Sequence, residues 1–461
     1  MTFYHALQIN ENQCIGCSHC MKICPTEAIR VYDGKAHISE SRCIDCGKCF
    51  KICPTRAVYI KQDDFESIFN FPCRVALIPS VFLGQFPNDI SVSRIYAILK
   101  EIGFTHVFET ESTTPIYTAA KNKYHHEHRD IVPLISTYCP AIVRLIQVKF
   151  PGLVDNLIPI KAPIDITAMY IRRKFQKETT YEDKEVGIFY ITPCAAKIAA
   201  VKNPVGEDKS NVDGVINMDA LYNRVWKKIK EQGSNYKEVK LPIAQLSSDS
   251  ILTSLTNGER RMSNAVHSLA IDEIDNVIEF LEKVENDEIE GVEFLELRAC
   301  DQSCPGGNLT CNNRFLTCEK MFARARYVAE KERNGERTRE YELEKERDYL
   351  SKNLLVGEIE PRSMLSLDPD ISKALEKMNK IGTLKKLLPQ IDCGLCGAPT
   401  CDALAEDIVC HKAKITHCVF VQRNLEIKNR MNTKESVNIL ETIWGNEKVE
   451  DFINKITDKN L

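Results

Sequence analysis

The chain has 461 residues, 43% hydrophobic and 27% charged, a balance typical of a soluble globular protein with room for roughly two to four domains. Its formal charge of -4 leaves no basic excess to favour nucleic acid or an anionic membrane surface. The most apolar window, FPCRVALIPSVFLGQF from residue 71, is too short to span a bilayer and carries an arginine. MTFYHALQINENQ lacks the basic start and long apolar run of an export signal, so a cytosolic protein without membrane insertion is expected. Twenty cysteines in such a chain point to metal ligation rather than disulfides.

The first element is an internal repeat. CIGCSHCMKICP and CIDCGKCFKICP both read C-x2-C-x2-C-x3-C-P, and short apolar segments (AIRVYD, AVYIKQ) follow them. In the bacterial run for 4Fe-4S clusters the fourth cysteine serves the other cluster. One cluster then takes Cys14, Cys17, Cys20 and Cys53, and the other Cys43, Cys46, Cys49 and Cys24. Three closely spaced thiolates wrap one cubane, and the proline ends the turn and sends the chain across. Zinc and free buried thiols are the alternatives that the doubled pattern disfavours. The module resembles a dicluster ferredoxin, which by itself only moves electrons.

After residue 64 short apolar runs alternate with amphipathic helices: RVALIPSVF, ISVSRIYAILKEIGF, HVFETE, PLISTYC, VGIFYITPC and VEFLELRAC. Such alternation predicts an α/β domain with a largely parallel sheet, whose ligands gather beyond the carboxyl ends of the strands. Three of these runs end in cysteine, at Cys139, Cys194 and Cys300, with Cys304 following. Four thiols from three strand ends are placed to share one site.

The trio ISTYCPA, ITPCAAK and ELRACDQSCPGG resembles the three signature segments of the FeFe hydrogenases, in order, over residues 71 to 330. That family's H-cluster joins a 4Fe-4S cubane through a cysteine sulfur to a diiron subcluster. The resemblance implies that Cys139, Cys194 and Cys300 are cubane ligands and that Cys304 also bridges to the diiron unit. It makes Lys197 the counterpart of a lysine that hydrogen-bonds a cyanide ligand, and Pro79 and Ser80 the counterpart of a pair lining the same pocket. The residue types suit the chemistry. A thiolate bridges two irons where a neutral imidazole cannot, an ammonium suits a small anion in a dry cavity, and Gly306 and Gly307 are expected to let backbone approach a bulky cluster. Scattered buried cysteines are the bland alternative.

Three positions depart from the family pattern. Tyr138 stands where catalytic members carry a proton-relaying cysteine, and Thr192 and Arg298 stand where two methionines pack the diiron pocket. A phenol exchanges protons less readily than a thiol at neutral pH. Arg298 either polarises the pocket or turns away into an ion pair with Glu296. Similar losses occur in the sensory-type branch of the family, which implies a slow enzyme used for sensing.

Near the C-terminus, DCGLCGAPTCDALAEDIVCHKAKITHC reads C-x2-C-x4-C with a further cysteine later. It resembles the small four-cysteine 4Fe-4S module of corrinoid iron-sulfur proteins and sensory hydrogenases, with Cys393, Cys396, Cys401 and Cys418 as ligands. Gly394 and Gly397 supply the tight turns that wrapping a cubane demands. A zinc ribbon is the alternative, and the x4 spacing argues against it. Cys410 is expected to be a packing residue.

The charged stretch 322 to 352 reads as a solvated helix broken near Gly335, and DPDISKALEKMNKIG as a short helix capped by acidic residues and ending at Gly382. His125, His126 and His128 read as a polar surface loop, and Cys73, Cys311 and Cys318 as small buried hydrophobes.

The expected organisation is a dicluster ferredoxin-like α+β domain (1–63), an α/β FeFe-hydrogenase-like H-cluster domain with parallel or mixed sheets flanked by helices (64–335), a charged helical linker (336–378), a small helical four-cysteine module (379–425) and a tail (426–461). The expected activity is reversible H2 oxidation and proton reduction, with electrons relayed through 4Fe-4S clusters. The alternatives are an electron carrier lacking the diiron subcluster and a redox or H2 signalling module acting through a partner. No flavin, nicotinamide or Walker signal appears, so a redox protein such as a ferredoxin is the expected electron partner, and hydrogenase maturation proteins are implied.

Overall fold

Among the described residues, seven strands carry the short apolar runs of the middle of the chain, and four more form two antiparallel pairs near its start. The computed structural model describes residues 3–233, 246–334, 341–362, 367–368 and 370–457. Its contacts divide into two units. One comprises Met1–Cys43, Gly47–Lys61 and Arg362–Leu461; the other comprises Ile44–Cys46 and Gln62–Pro361.

In the first unit, β1 (Leu7–Ile9) pairs antiparallel with β4 (Val58–Ile60), and β2 (Ile29–Tyr32) pairs antiparallel with β3 (Lys35–Ile38). Short helices His19–Lys22 and Lys48–Ile52 carry the middle of each cysteine run. The same unit holds helices Ile371–Leu387, Cys401–Val409, Val419–Ile427, Thr433–Trp444 and Asn446–Thr457. A small core of Leu367, Ile381, Leu388, Ala398, Leu404 and Val409 surrounds Cys401 and Cys418, and the half-buried Cys396 and Cys410 pack against it.

In the second unit β5 (Cys73–Ile78), β6 (His106–Glu109), β8 (Val186–Thr192) and β9 (Gly214–Asn217) form a parallel sheet in the order β6-β5-β8-β9. A second parallel sheet orders β10 (Ser268–Ile271), β11 (Phe294–Leu297) and β7 (Leu134–Ile135) as β10-β11-β7. All seven residues of β8 are buried, as expected where helices cover both faces of a parallel sheet and the strand is an unbroken apolar run. The α/β reading therefore holds, and every strand that sequence ended in a cysteine runs parallel to its neighbours.

Several local expectations change. The histidines at 125 and 126 lie in helix Thr114–Glu127 rather than in a loop, with His128 as its cap. They are not gathered, since His125 faces Glu293 while His128 stacks on Tyr124. The helix capped by Asp370 runs through Gly382 to Leu387, because Ile381, Leu384 and Leu388 continue an apolar stripe onto the small core. Helices Arg314–Arg333 and Tyr341–Lys352 flank the charged stretch's expected break, and Gly335 itself lies outside the described residues. Met321, Ala325 and Val328 give the first of these helices a buried face. Cys73 and Cys318 are buried, but Cys311 is exposed. Its backbone N–H is tied to Gln85 Oε1 at 2.9 Å, which fixes the loop with the thiol outward.

Ile188, at the centre of β8, is fully buried. Ile188→Ala is expected to destabilise the second unit by about 2–5 kcal/mol, read as a lower urea midpoint with an unchanged slope.

Candidate metal centre

Four parallel strands deliver the candidate residues at their carboxyl ends. β5 leads into Pro79 and Ser80, β7 into Tyr138 and Cys139, β8 into Cys194, and β11 into Arg298, Cys300 and Cys304. Cys194 is half-buried and lies within electrostatic reach of Cys139 and Cys304. Burial pushes its thiol up to about 12, Lys197 opposes this, and Cys304 and Cys139 add to it. Lys197, in helix Ala195–Lys202, places Nζ 3.5 Å from Cys304 Sγ. Cys300 is half-buried in the turn after β11, and its carbonyl accepts from the Ser303 N–H at 2.9 Å.

The two glycines after Cys304 serve a closer approach than the one expected of them. A Cβ on Gly306 would sit 1.9 Å from the Asp301 carbonyl oxygen, and one on Gly307 would sit 2.4 Å from that of Pro193. The Leu309 N–H donates to the same Pro193 oxygen at 2.9 Å, and the Ala195 N–H donates to Asn308 Oδ1 at 3.1 Å. Backbone against backbone demands Gly-Gly here, and it locks the Cys304 loop onto the Cys194 loop.

The departures from the family pattern form a connected arrangement. The Tyr138 ring has the Arg298 guanidinium 3.8 Å from its centroid and Lys197 Nζ at 5.1 Å. Arg298 Nη2 donates to Glu259 Oε2 at 2.8 Å, and Nε donates to Glu296 Oε1 at 3.3 Å. Both readings of Arg298 thus meet in one side chain, which is ion-paired on one edge and stacked on Tyr138 by its face. Glu259 also accepts from Tyr117 and Ser136, each at 2.7 Å, and pairs with Lys121 at 3.4 Å. Two buried cations balance two buried carboxylates, so none is stranded in low dielectric. Burial alone would raise Glu259, but Lys121 and Arg298 hold it below the usual carboxylate range. Thr192 turns its hydroxyl inward to its own loop, donating to the Cys194 carbonyl at 2.8 Å.

Sequence reading missed the carboxylates after β6. The Ser80 N–H lies 2.9 Å and 3.1 Å from the two oxygens of Glu111, and Ser80 Oγ donates to Glu109 Oε2 at 3.1 Å. Arg324 clamps Glu109 with bonds of 2.7 and 2.6 Å. Their signal was available, since HVFETE puts both acids at the carboxyl end of a parallel strand.

The donor set fits iron-sulfur chemistry. Buried thiols cannot ionise together in a dry site unless a cation neutralises them, and iron does this. Arg298 Nη1, Tyr190 OH and Ser303 Oγ are buried without a hydrogen-bond partner among the described residues. Tyr190 and Arg298 both lie within electrostatic reach of Cys304, so small polar ligands beside that sulfur would find donors. In the first unit burial, then Cys17, Cys14 and Cys53, push Cys20 up to about 12, so one expected set is gathered. Of the other set, Cys43 and Cys49 are buried, Cys24 Sγ accepts the Ala28 N–H at 3.2 Å, and the Cys46 carbonyl accepts from Asn308 Nδ2 at 3.2 Å. Burial, then Cys393 and Cys418, raise Cys396 to about 11, while Cys401 opens its helix with its N–H on Asp392 Oδ1 at 2.7 Å.

Comparison with known proteins finds similarity in three stretches of the chain. Residues 74–258 match the family model of the iron only hydrogenase large subunit, C-terminal domain. The middle of the chain is thus similar to the iron only hydrogenases. Residues 6–54 match the 4Fe-4S dicluster domain, and residues 388–420 match an Fe-S cluster family. The periplasmic Fe hydrogenase large subunit of Nitratidesulfovibrio vulgaris is 29% identical over 212 residues, 42% of this chain and 50% of that protein. Iron hydrogenase 1 of Clostridium pasteurianum is 24% identical over 235 residues, 49% of this chain and 39% of that protein. The chain thus spans half or less of the length of these curated relatives. Solved FeFe-hydrogenase HydA1 from Chlamydomonas reinhardtii aligns over 63% of this chain and 96% of that chain, with 14% identity and a TM-score of 0.45, too loose a likeness to bear on the site. No described helix is long and apolar enough to cross a membrane.

Beside Ser80, Glu111 is the group whose protonation should be visible. Burial, then the neighbouring Glu109, push it from its ordinary 4.5 to about 7, against the opposing Ser80 N–H. Between those values the folded chain keeps a proton that the unfolded chain has lost, so stability falls as pH rises across that window and levels off above it. Glu111→Gln is expected to flatten this decline in a series of thermal midpoints from pH 4.5 to 7.5, values set around the shift cited here.

Proposed function

We propose that the chain is an FeFe hydrogenase of the sensory type. It interconverts H2 with protons and electrons slowly, at an H-cluster held by Cys139, Cys194, Cys300 and Cys304. The observation that carries this reading is the approach of Lys197 Nζ to within 3.5 Å of Cys304 Sγ, beside a half-buried Cys194 that senses both Cys139 and Cys304. When bound, the cluster supplies an open iron as Lewis acid and an amine that takes the proton.

The chain's own residues bind, orient and dry the site. Lys197 presents an ammonium to anionic ligands beside the Cys304 sulfur. Ser80 is fixed by Glu109 and Glu111 at the mouth of β5. Tyr138, stacked on Arg298, excludes water but offers a phenol where a thiol would exchange protons more readily near neutrality. Slow turnover follows from that substitution.

Electrons enter and leave through two 4Fe-4S clusters on Cys14, Cys17, Cys20 and Cys53 and on Cys43, Cys46, Cys49 and Cys24, and a third cluster sits on Cys393, Cys396, Cys401 and Cys418. A ferredoxin-like redox protein is the external partner, and a separate signalling chain receives the output. Hydrogenase maturation proteins load the diiron subcluster, and the chain works in the cytosol. The division at 63, 335, 378 and 425 is kept as the functional partition.

One observation favours a second reading, a plain electron carrier without the diiron subcluster: the Tyr138 and Arg298 side chains stack where the family's pattern has a small thiol and a methionine. Infrared spectroscopy separates the two. Protein produced with the maturation proteins is expected to show bands of iron-bound CO and CN, and a fully matured preparation without them would leave the electron carrier. Tyr138→Cys is expected to raise H2 turnover by roughly 10²-fold, the lower end of what a positioned acid or base contributes. An unchanged rate would place the block elsewhere.

A further inference from the structure

Residues 426–461 have no part in the function proposed above, yet they touch both cysteine-bearing regions of the first unit. Helix Thr433–Trp444 ends against the β2–β3 turn, where the Asp33 N–H donates to the Thr442 carbonyl at 2.9 Å and the Gly34 N–H to that of Ile443 at 3.1 Å. The Trp444 indole N–H donates to the carbonyl of Leu395, between Cys393 and Cys396, at 2.9 Å. Four residues later Lys448 Nζ donates to the carbonyl of Gly16, between Cys14 and Cys17, at 2.8 Å. The junction of this helix with the next, Asn446–Thr457, thus holds a loop from each cysteine set.

The two loops also meet the same strand and helix directly. The Val31 N–H of β2 donates to the Gly397 carbonyl at 2.8 Å. Gly397 has φ +80°, and a Cβ there would sit 2.1 Å from the Val31 carbonyl oxygen. Gly394 packs on Met21, the residue after Cys20, with its absent Cβ position 3.1 Å from Met21 Cε. Arg30 on β2 pairs with Asp407 at 2.5 Å, and Arg42 pairs with Glu406, both acids on the helix that Cys401 opens. The contact is part-buried, hydrogen-bonded through the main chain and charge-complementary, which marks a fixed junction rather than a loose tether.

We infer that residues 433–448 are a clamp holding the Cys393, Cys396, Cys401 and Cys418 set against the Cys14, Cys17, Cys20 and Cys53 set, so that their clusters exchange electrons directly. The step is a one-electron transfer from whichever cluster is reduced to the one that is oxidised. No bond forms or breaks and no proton moves, and the external one-electron redox protein supplies or removes the electron. Trp444 and Lys448 are positioning residues. The inference rests on reading both cysteine sets as 4Fe-4S ligands, and it does not depend on the H-cluster.

The test uses the full chain produced without maturation proteins, so that the diiron question does not enter. In the reduced wild-type protein, pulsed EPR is expected to show a third 4Fe-4S spin in dipolar interaction with the ferredoxin pair. Trp444→Ala and Lys448→Ala, which remove the two side-chain contacts of the clamp, are expected to keep the iron content and lose that splitting. A third spin that relaxes independently in the wild type overturns the inference, and so does a splitting unchanged in iron-replete variants. If either variant sheds iron, the wild-type spectrum alone decides. Failure of the underlying ligand reading is seen separately, as a Cys393→Ser, Cys396→Ser double variant that does not lose about four irons.

Discussion

The mutual exclusion of buried thiolates from a dry interior underlies everything else in this molecule. Cys194 and Cys20 sit among other thiols with little water to spread their charge. As thiols such groups stay protonated, and only a multivalent cation among them would let them ionise together. Parallel strands bring such groups together economically, because neighbouring strands end at the same level and the loops beyond them meet. The Gly306-Gly307 pair adds the last constraint by letting one loop lie on the next.

A second arrangement manages charge around that chamber. Arg298, Lys121, Glu259 and Glu296 enclose equal numbers of cations and anions, with Ser136 and Tyr117 satisfying the remaining lone pairs of Glu259. An arginine where the family pattern has a methionine would otherwise strand a charge in the interior. The carboxylates let the substitution stand, and the face of the guanidinium still reaches Tyr138. Polarity near the Cys304 sulfur is therefore altered without a net local charge, which is the kind of change that tunes a metal centre without dismantling it.

Much of this was legible in the residues. The doubled cysteine run, the apolar runs ending in Cys139, Cys194 and Cys300, and the Asp370 cap each rest on local spacing, and local spacing survives folding. What escaped notice depends on distance along the chain. Glu259 meets Ser136 and Arg298 across well over a hundred residues on one side, and nothing near it marks it as a partner. Glu109 and Glu111 were within reach of the strand-end rule, but acids beside thiols drew no attention. Gly394 and Gly397 were readable as turns, whereas the Val31 carbonyl they approach was not, because a main-chain contact leaves no side-chain signature. The helix through Gly382 shows the opposite case, in which packing of Leu384 and Leu388 overrides a local stop signal.

The first unit is built from both ends of the polypeptide, with nearly all of the second unit encoded between them. A chain emerging from the ribosome therefore exposes β2 and the Cys14–Cys17 loop while some three hundred further residues are still being made, a span read from the unit boundaries. During that interval the edge of β2 and the Gly16 carbonyl lack the partners that residues 397 and 448 later provide. Biogenesis is thus ordered, with the second unit free to fold first and the first sealed only once translation has passed residues 397 and 448.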